Sequence, residues 1–156
     1  MYNKILVPLD GSQFAQCALD HVRTIAKGCN VAEVILLRGV EPIPAKDLAP
    51  LAQARGNLFS QVENAVKAEA VDYIAQMAKR LREEGMTVKG ETLMGKADEQ
   101  IIDYSRKNRI DLIIMSSHGR SGISRWTLGS VADRVLHYST IPVLLVATPG
   151  CRVAQG

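Results

Sequence analysis

Apolar residues change their spacing repeatedly along the chain, and the alternation predicts strands separated by helices. Ile5-Leu6-Val7-Pro8-Leu9 is a short apolar run closed by Asp10-Gly11-Ser12, the pattern of a buried parallel strand and its turn. Pro8 lacks the N–H that a central strand donates, so it fits only where that strand is ending. From Gln13 to Lys27, Phe14, Ala18, Val22 and Ile25 follow helical spacing, with Ser12 placed to cap the start and Gly28 to stop the end. Glu33 to Val40 is a second apolar strand. It runs into Glu41-Pro42-Ile43-Pro44, where helix is disfavoured, so a long loop or lid follows. Leu58, Val62, Val66, Ile74, Ala78 and Leu81 predict one long helix between about Asn57 and Glu84, stopped by Gly85. Met86 to Leu93 is less continuously apolar and reads as an edge strand. Ala97, Ile101 and Ser105 mark one side of a further helix, and Asp111 to Met115 a fourth, buried strand. Gly129 to Tyr138 suits a last helix, and Ile141 to Val146 a fifth strand. Apolar strands separated by helices require right-handed crossovers. The expected fold class is therefore α/β: a five-stranded, mainly parallel, doubly wound sheet, Rossmann-like or flavodoxin-like, with helices on both faces.

Length and composition narrow the class without changing it. A chain of 156 residues suits one domain, expected over residues 1–147 with 148–156 as a C-terminal tail. With 47% hydrophobic and 22% charged residues, it has the apolar content that a disordered chain lacks. No apolar run reaches the roughly 18 residues that span a bilayer, and Met1 to Lys4 leads straight into a strand-like run, so a cytoplasmic protein with no membrane contact is expected. Cys17, Cys29 and Cys151 form no Cys-x-x-Cys pair and read as reduced thiols. The formal charge of +3 is spread among alternating signs, with only two Phe and one Trp available for stacking, which argues against nucleic acid as a partner.

In an open parallel sheet, ligands bind beyond the carboxyl ends of the strands, where the winding reverses. That rule singles out Asp10 to Ser12, Gly39 to Pro42, Gly95 to Asp98 and Ser116 onward. Ser116-Ser117-His118-Gly119-Arg120-Ser121-Gly122 leaves a buried strand, and Gly129-Ser130 opens a helix shortly after. Small residues let backbone N–H groups approach an anion, and a helix N-terminus adds partial positive charge, a combination that suits a polyphosphate. The same residues also make ordinary turns and caps. Asp10 can accept from a ribose hydroxyl or cap the first helix beside Ser12, and Arg120 and Arg125 can reach phosphate or remain solvated. Other motifs fail. Gly90-x4-Gly95-Lys96-Ala97 lacks the hydroxyl that a phosphate loop needs for magnesium, and Ile123 stands where a nucleophile elbow needs glycine. His21, His118 and His137 have no metal-ligand spacing.

Taken together, Ile5 to Ser12, Asp111 to Met115 and His118-Gly119-x9-Gly129-Ser130-Val131 resemble the universal stress protein family, over essentially the whole chain through Ile141 to Val146. The family's nucleotide-binding members carry Gly-x2-Gly-x9-Gly followed by Ser or Thr. Here the second and third glycines are Gly119 and Gly129 with Ser130 after them, and Ser116 stands at the first. The resemblance implies the ATP-binding branch, with Mg2+ or Mn2+ accompanying the nucleotide. It implies that Asp10 faces the adenosine end, that the Gly39 backbone reads the adenine edge, and that Ser116, Gly119, Gly129, Ser130 and Val131 hold the phosphates. Pro8, Leu9, Met115 and Arg120 complete the implied site. It also implies a homodimer built around the strand from Ile141 to Val146, and a regulator of the stress response whose loop from Ser116 to Leu128, ordered by ATP, is read by a protein partner. Two alternatives belong to other classes. One is a slow ATP-hydrolysing or phosphate-transferring enzyme using Asp10 or His118. The other is a flavin-binding electron carrier on the same topology.

Overall fold

Successive side chains of a strand point to opposite faces, and in this chain both sets are apolar. Ile5, Val7, Leu9, Val34, Leu36, Leu112 and Ile114 belong to one buried cluster; Leu6, Ile35, Leu37, Ile113 and Met115 belong to another. Such a sheet has to be covered on both sides. A computed structural model describes residues 2–42, 44, 56–118 and 128–147, with the backbone alone at 56–59. Its strands are β1 (Lys4–Pro8), β2 (Glu33–Val40), β3 (Val88–Met94), β4 (Leu112–Ser116) and β5 (Val143–Val146). They form one sheet in the order β3-β2-β1-β4-β5, and every pairing is parallel. The described helices are α1 (Gln13–Gln16), α2 (Ala18–Cys29), α3 (Gly56–Glu83), α4 (Ala97–Lys107) and α5 (Ser130–Tyr138). Residues of α2 and α3 pack with the first cluster, and those of α4 and α5 with the second. None of the described helices is long and apolar enough to cross a membrane.

Two expectations about helix ends are corrected. The helix predicted over Gln13 to Lys27 is divided at Cys17, which keeps helical dihedrals (φ −59°, ψ −28°) while its N–H bonds to the Phe14 carbonyl at 3.2 Å. A bond reaching back three residues tightens the turn. Gly28 does not stop α2; the stop is Asn30 in the left-handed region at φ 50°, with the Val31 N–H bonded to the Ala26 carbonyl at 3.1 Å. Asparagine tolerates that conformation, so glycine is not required there. At the end of α3 the expected residue does serve: Gly85 takes φ 87°. Cys29 is a free thiol, Cys17 is buried where α1 meets α2, and Cys151 lies outside the described residues.

Polar links fix the layers. Arg38, buried on β2, bonds both oxygens of Glu69 on α3 at 2.9 and 3.2 Å and lies 5.3 Å from the Tyr73 ring centroid. Ahead of β4, Asp111 Oδ2 accepts the backbone N–H groups of Lys4 and Asn3 at 2.8 Å each. Those two donors, Lys4 first, hold the Asp111 carboxyl below its ordinary value. A depressed folded pKa gives stability that is present above the unfolded carboxylate value and is lost as pH falls through the folded one. Asp111→Ala should therefore lose about 1 kcal/mol at neutral pH in urea titrations. The deficit should shrink as pH falls below about 4, the unfolded carboxylate value.

Candidate functional site

The chain leaves β1 toward β2 and β3 on one side, and later returns through β4 to the other side of β1. That reversal opens a crevice at the carboxyl ends of β1 and β4. A cleft of about 220 Å³ lies there. Leu37, Ile101 and Met115 give it apolar walls, and Asp10, Ser116, Ser117, His118 and Ser130 give it polar ones.

The β1 side is built by a short relay. Pro8 ends the strand, and Leu9 still donates its N–H to the Leu37 carbonyl at 2.9 Å, which keeps the turn docked on β2. Gly11 takes φ 87°, a conformation that favours glycine. Asp10 Oδ1 accepts both the N–H and the hydroxyl of Ser12, at 2.9 and 2.6 Å, and Ser12 Oγ accepts the N–H of Ala15 at 3.1 Å. Asp10 thus orients the residue that caps α1 while lining the cleft itself.

On the β4 side, the chain from Ser116 to His118 is buried and tied at several points. Ser116 Oγ donates to the His118 carbonyl at 2.7 Å, and Ser117 Oγ lies 3.0 Å from His118 Nδ1. The Ser117 N–H bonds to the Val146 carbonyl at 2.8 Å. The Ser117 carbonyl accepts the Gly129 N–H at 2.9 Å. The hydroxyl at the first glycine position of the loop pattern therefore braces the turn locally. Because the Gly129 N–H is engaged by Ser117, the anion-binding potential rests on the first turn of α5. There the bond from the Asp133 N–H to the Gly129 carbonyl, at 2.9 Å, leaves Ser130, Val131 and Ala132 without intrahelical acceptors. Gly129 at the N-cap has no side chain to cap them. All three residues line the cleft.

Opposite them stands the end of β2. A Cβ built on Gly39 would lie 2.8 Å from the Ala97 Cα, so glycine there lets the start of α4 close onto the strand. Ala97 and Ile101 form that end of the cleft.

Pro8, Leu9, Asp10, Gly39, Met115, Ser116, Gly129, Ser130 and Val131, singled out from the sequence, are all brought to this cleft. Gly119 and Arg120 lie outside the described residues, as do Arg125 and Ile123. Ala15, Leu37, Ile101 and Ala132 also line it, although sequence reasoning did not assign them, as do Ala97 and Ser117, which lie in segments singled out from the sequence without a role of their own. Leu37 and Ile101 carry the same apolar signature as any core position. Ala97 has a readable signal, a small residue opening a helix after Gly95-Lys96. Gly90 sits inside β3, where its Cβ would meet Ile74 Cγ2, so the phosphate-loop-like spacing around it reflects strand–helix packing. No group of three or more His, Cys, Asp or Glu side chains is placed to hold a metal among the described residues.

Comparison with known proteins gives one consistent family. The family model described as "Universal stress protein family" matches residues 1–147. Universal stress protein MJ0531 of Methanocaldococcus jannaschii is 34% identical over 149 residues, covering 96% of this chain and 84% of that protein. Universal stress protein MJ0577 of the same organism is 34% identical over 155 residues, with 94% of this chain and 95% of that protein covered. The solved structure of MJ0577 superposes with a TM-score of 0.79 at 32% identity, covering 94% of this chain and 96% of that one. A universal stress protein crystallised in complex with cAMP shares the fold, with a TM-score of 0.68 at 23% identity over 94% of this chain and 98% of that one.

Proposed function

Because the chain belongs to the universal stress protein family, we propose that it binds ATP across the β1–β4 cleft and acts in the cytoplasm as a nucleotide-dependent regulator of the stress response. The observation that carries this reading is the first turn of α5, whose residues Ser130, Val131 and Ala132, with N–H groups that have no intrahelical acceptor, line a cleft that is apolar at its other end. A helix N-terminus favours an anion, and the apolar end formed by Leu37, Ala97 and Ile101 favours a base. Asp10, in the chain's turn off β1, lines the same cleft, where a carboxylate oxygen can accept from a sugar hydroxyl. The Gly39 backbone reads the base edge, and Gly119 and Arg120 complete the phosphate side. Mg2+ or Mn2+ would enter as the counter-ion of the phosphates. The cAMP complex of a protein sharing this fold makes a nucleotide a natural first ligand to test.

Assembly follows from the sheet. β5 is its last strand, and Val143, Leu144 and Leu145 remain partly exposed. Such an edge invites pairing with a second copy about a two-fold axis, giving a homodimer through Ile141 to Val146. Sedimentation at micromolar concentration should show a dimer; a monomer would count against it. The nucleotide reading is tested by heating the purified protein and chromatographing what is released. ATP in amounts comparable to the protein supports it, whereas a released flavin would favour an electron carrier.

A further inference from the structure

α4 and α5 cover the same face of the sheet, and each follows its strand downward, so both begin at the cleft. Their first residues form its two ends: Ala97, pressed on Gly39, at one, and Ser130 with Val131 at the other. One residue past Ala97 stands Asp98, its side chain only 8% exposed. One turn past Ser130 stands Arg134, whose Nε lies 2.5 Å from Asp98 Oδ2. The contact is an ion pair and not an aligned hydrogen bond. At their far ends the helices are tied separately, by Arg106 Nη2 donating to the Tyr138 carbonyl at 3.1 Å.

A buried carboxylate needs its counter-charge, and here the counter-charge comes from the opposite helix. Separation of α4 from α5 at the cleft would strip Asp98 of that partner, while the Arg106 link would leave the far ends together. We propose that the Asp98–Arg134 pair is a strut that fixes the distance between the two ends of the cleft, making both side chains positioning residues for a ligand that spans it. The proposal rests on the nucleotide reading and adds to it a determinant of affinity that touches no nucleotide.

A spanning ligand gains by having both of its parts in register, and a displaced subsite forfeits that gain while each part alone still binds. The test compares ATP, adenosine and inorganic triphosphate on wild type, Arg134→Met and Arg134→Lys, with thermal melts to confirm that each variant is folded. Arg134→Met should weaken ATP about tenfold while adenosine and triphosphate change by less than about twofold, and Arg134→Lys should recover most of the loss. Unchanged ATP affinity in a folded Arg134→Met would overturn the strut alone, as would parallel weakening of all three ligands. Should Arg134→Met fail to fold, the same comparison on Arg134→Lys and Asp98→Asn decides, with selective weakening of ATP in Asp98→Asn expected. Wild type that binds no ATP would overturn the strut and the nucleotide reading together.

Discussion

Gly129→Val is expected to fold normally and to lose ATP. Gly129 has φ −62° and ψ 147°, ordinary extended backbone that any residue adopts. Its N–H bond to Ser117 uses the main chain, which valine retains. Neither conformation nor hydrogen bonding therefore demands glycine at this position. The remaining reason is space: Gly129 lines the cleft beside the N–H groups of Ser130, Val131 and Ala132, where a branched side chain would stand between the helix terminus and an anion. Gly129 is only half-buried, so stability should stay within about 1 kcal/mol of wild type. ATP affinity should fall by roughly two orders of magnitude or more, the loss expected when charge-assisted bonds to an anion are blocked. Calorimetry and circular dichroism on the same samples check both. A folded variant with wild-type affinity would refute the proposed cradle.

The largest effect on stability should come from Leu36→Ala. Leu36 is fully buried on β2, with β1 and β3 on either side and α3 against it in the first cluster. Removing most of its side chain leaves a cavity in a sheet that cannot collapse to fill it, at a cost of about 2–5 kcal/mol. Val62→Ala on α3 changes a side chain that is 38% exposed, and should cost no more than about 0.5 kcal/mol. Denaturant midpoints for the two variants, at unchanged slope, make the comparison. Near-equal midpoints would mean that Leu36 is not the core residue described.

What the sequence made legible was what period and punctuation encode. β2 spans Glu33–Val40 as its apolar run predicts, α3 stops before Gly85, and β3 lies at the sheet edge as its broken apolar pattern suggests. Less legible were features set by hydrogen bonding between residues distant in the chain. The bond from Gly129 N–H to the Ser117 carbonyl, which moves the candidate anion donors onto Ser130 to Ala132, has no trace in spacing. Leu37 and Ile101 line the cleft, yet nothing in their identity separates them from the core. The apolar character of the last strand also has a second cause. Val143 and Leu145 pack on the second cluster and Leu144 on the first, so coverage of both faces accounts for much of that run. An edge open to pairing, and not apolarity, is what remains in favour of a dimer.

The claim that the first turn of α5 receives the phosphates is tested most directly by an ATP titration followed in the ¹⁵N–¹H spectrum. The backbone amides of Ser130, Val131 and Ala132 should shift most and saturate together with those around Gly39, whereas adenosine should move the Gly39 group alone. Saturable shifts confined to residues away from both ends of the cleft, with the Ser130 to Ala132 amides unmoved, would contradict it.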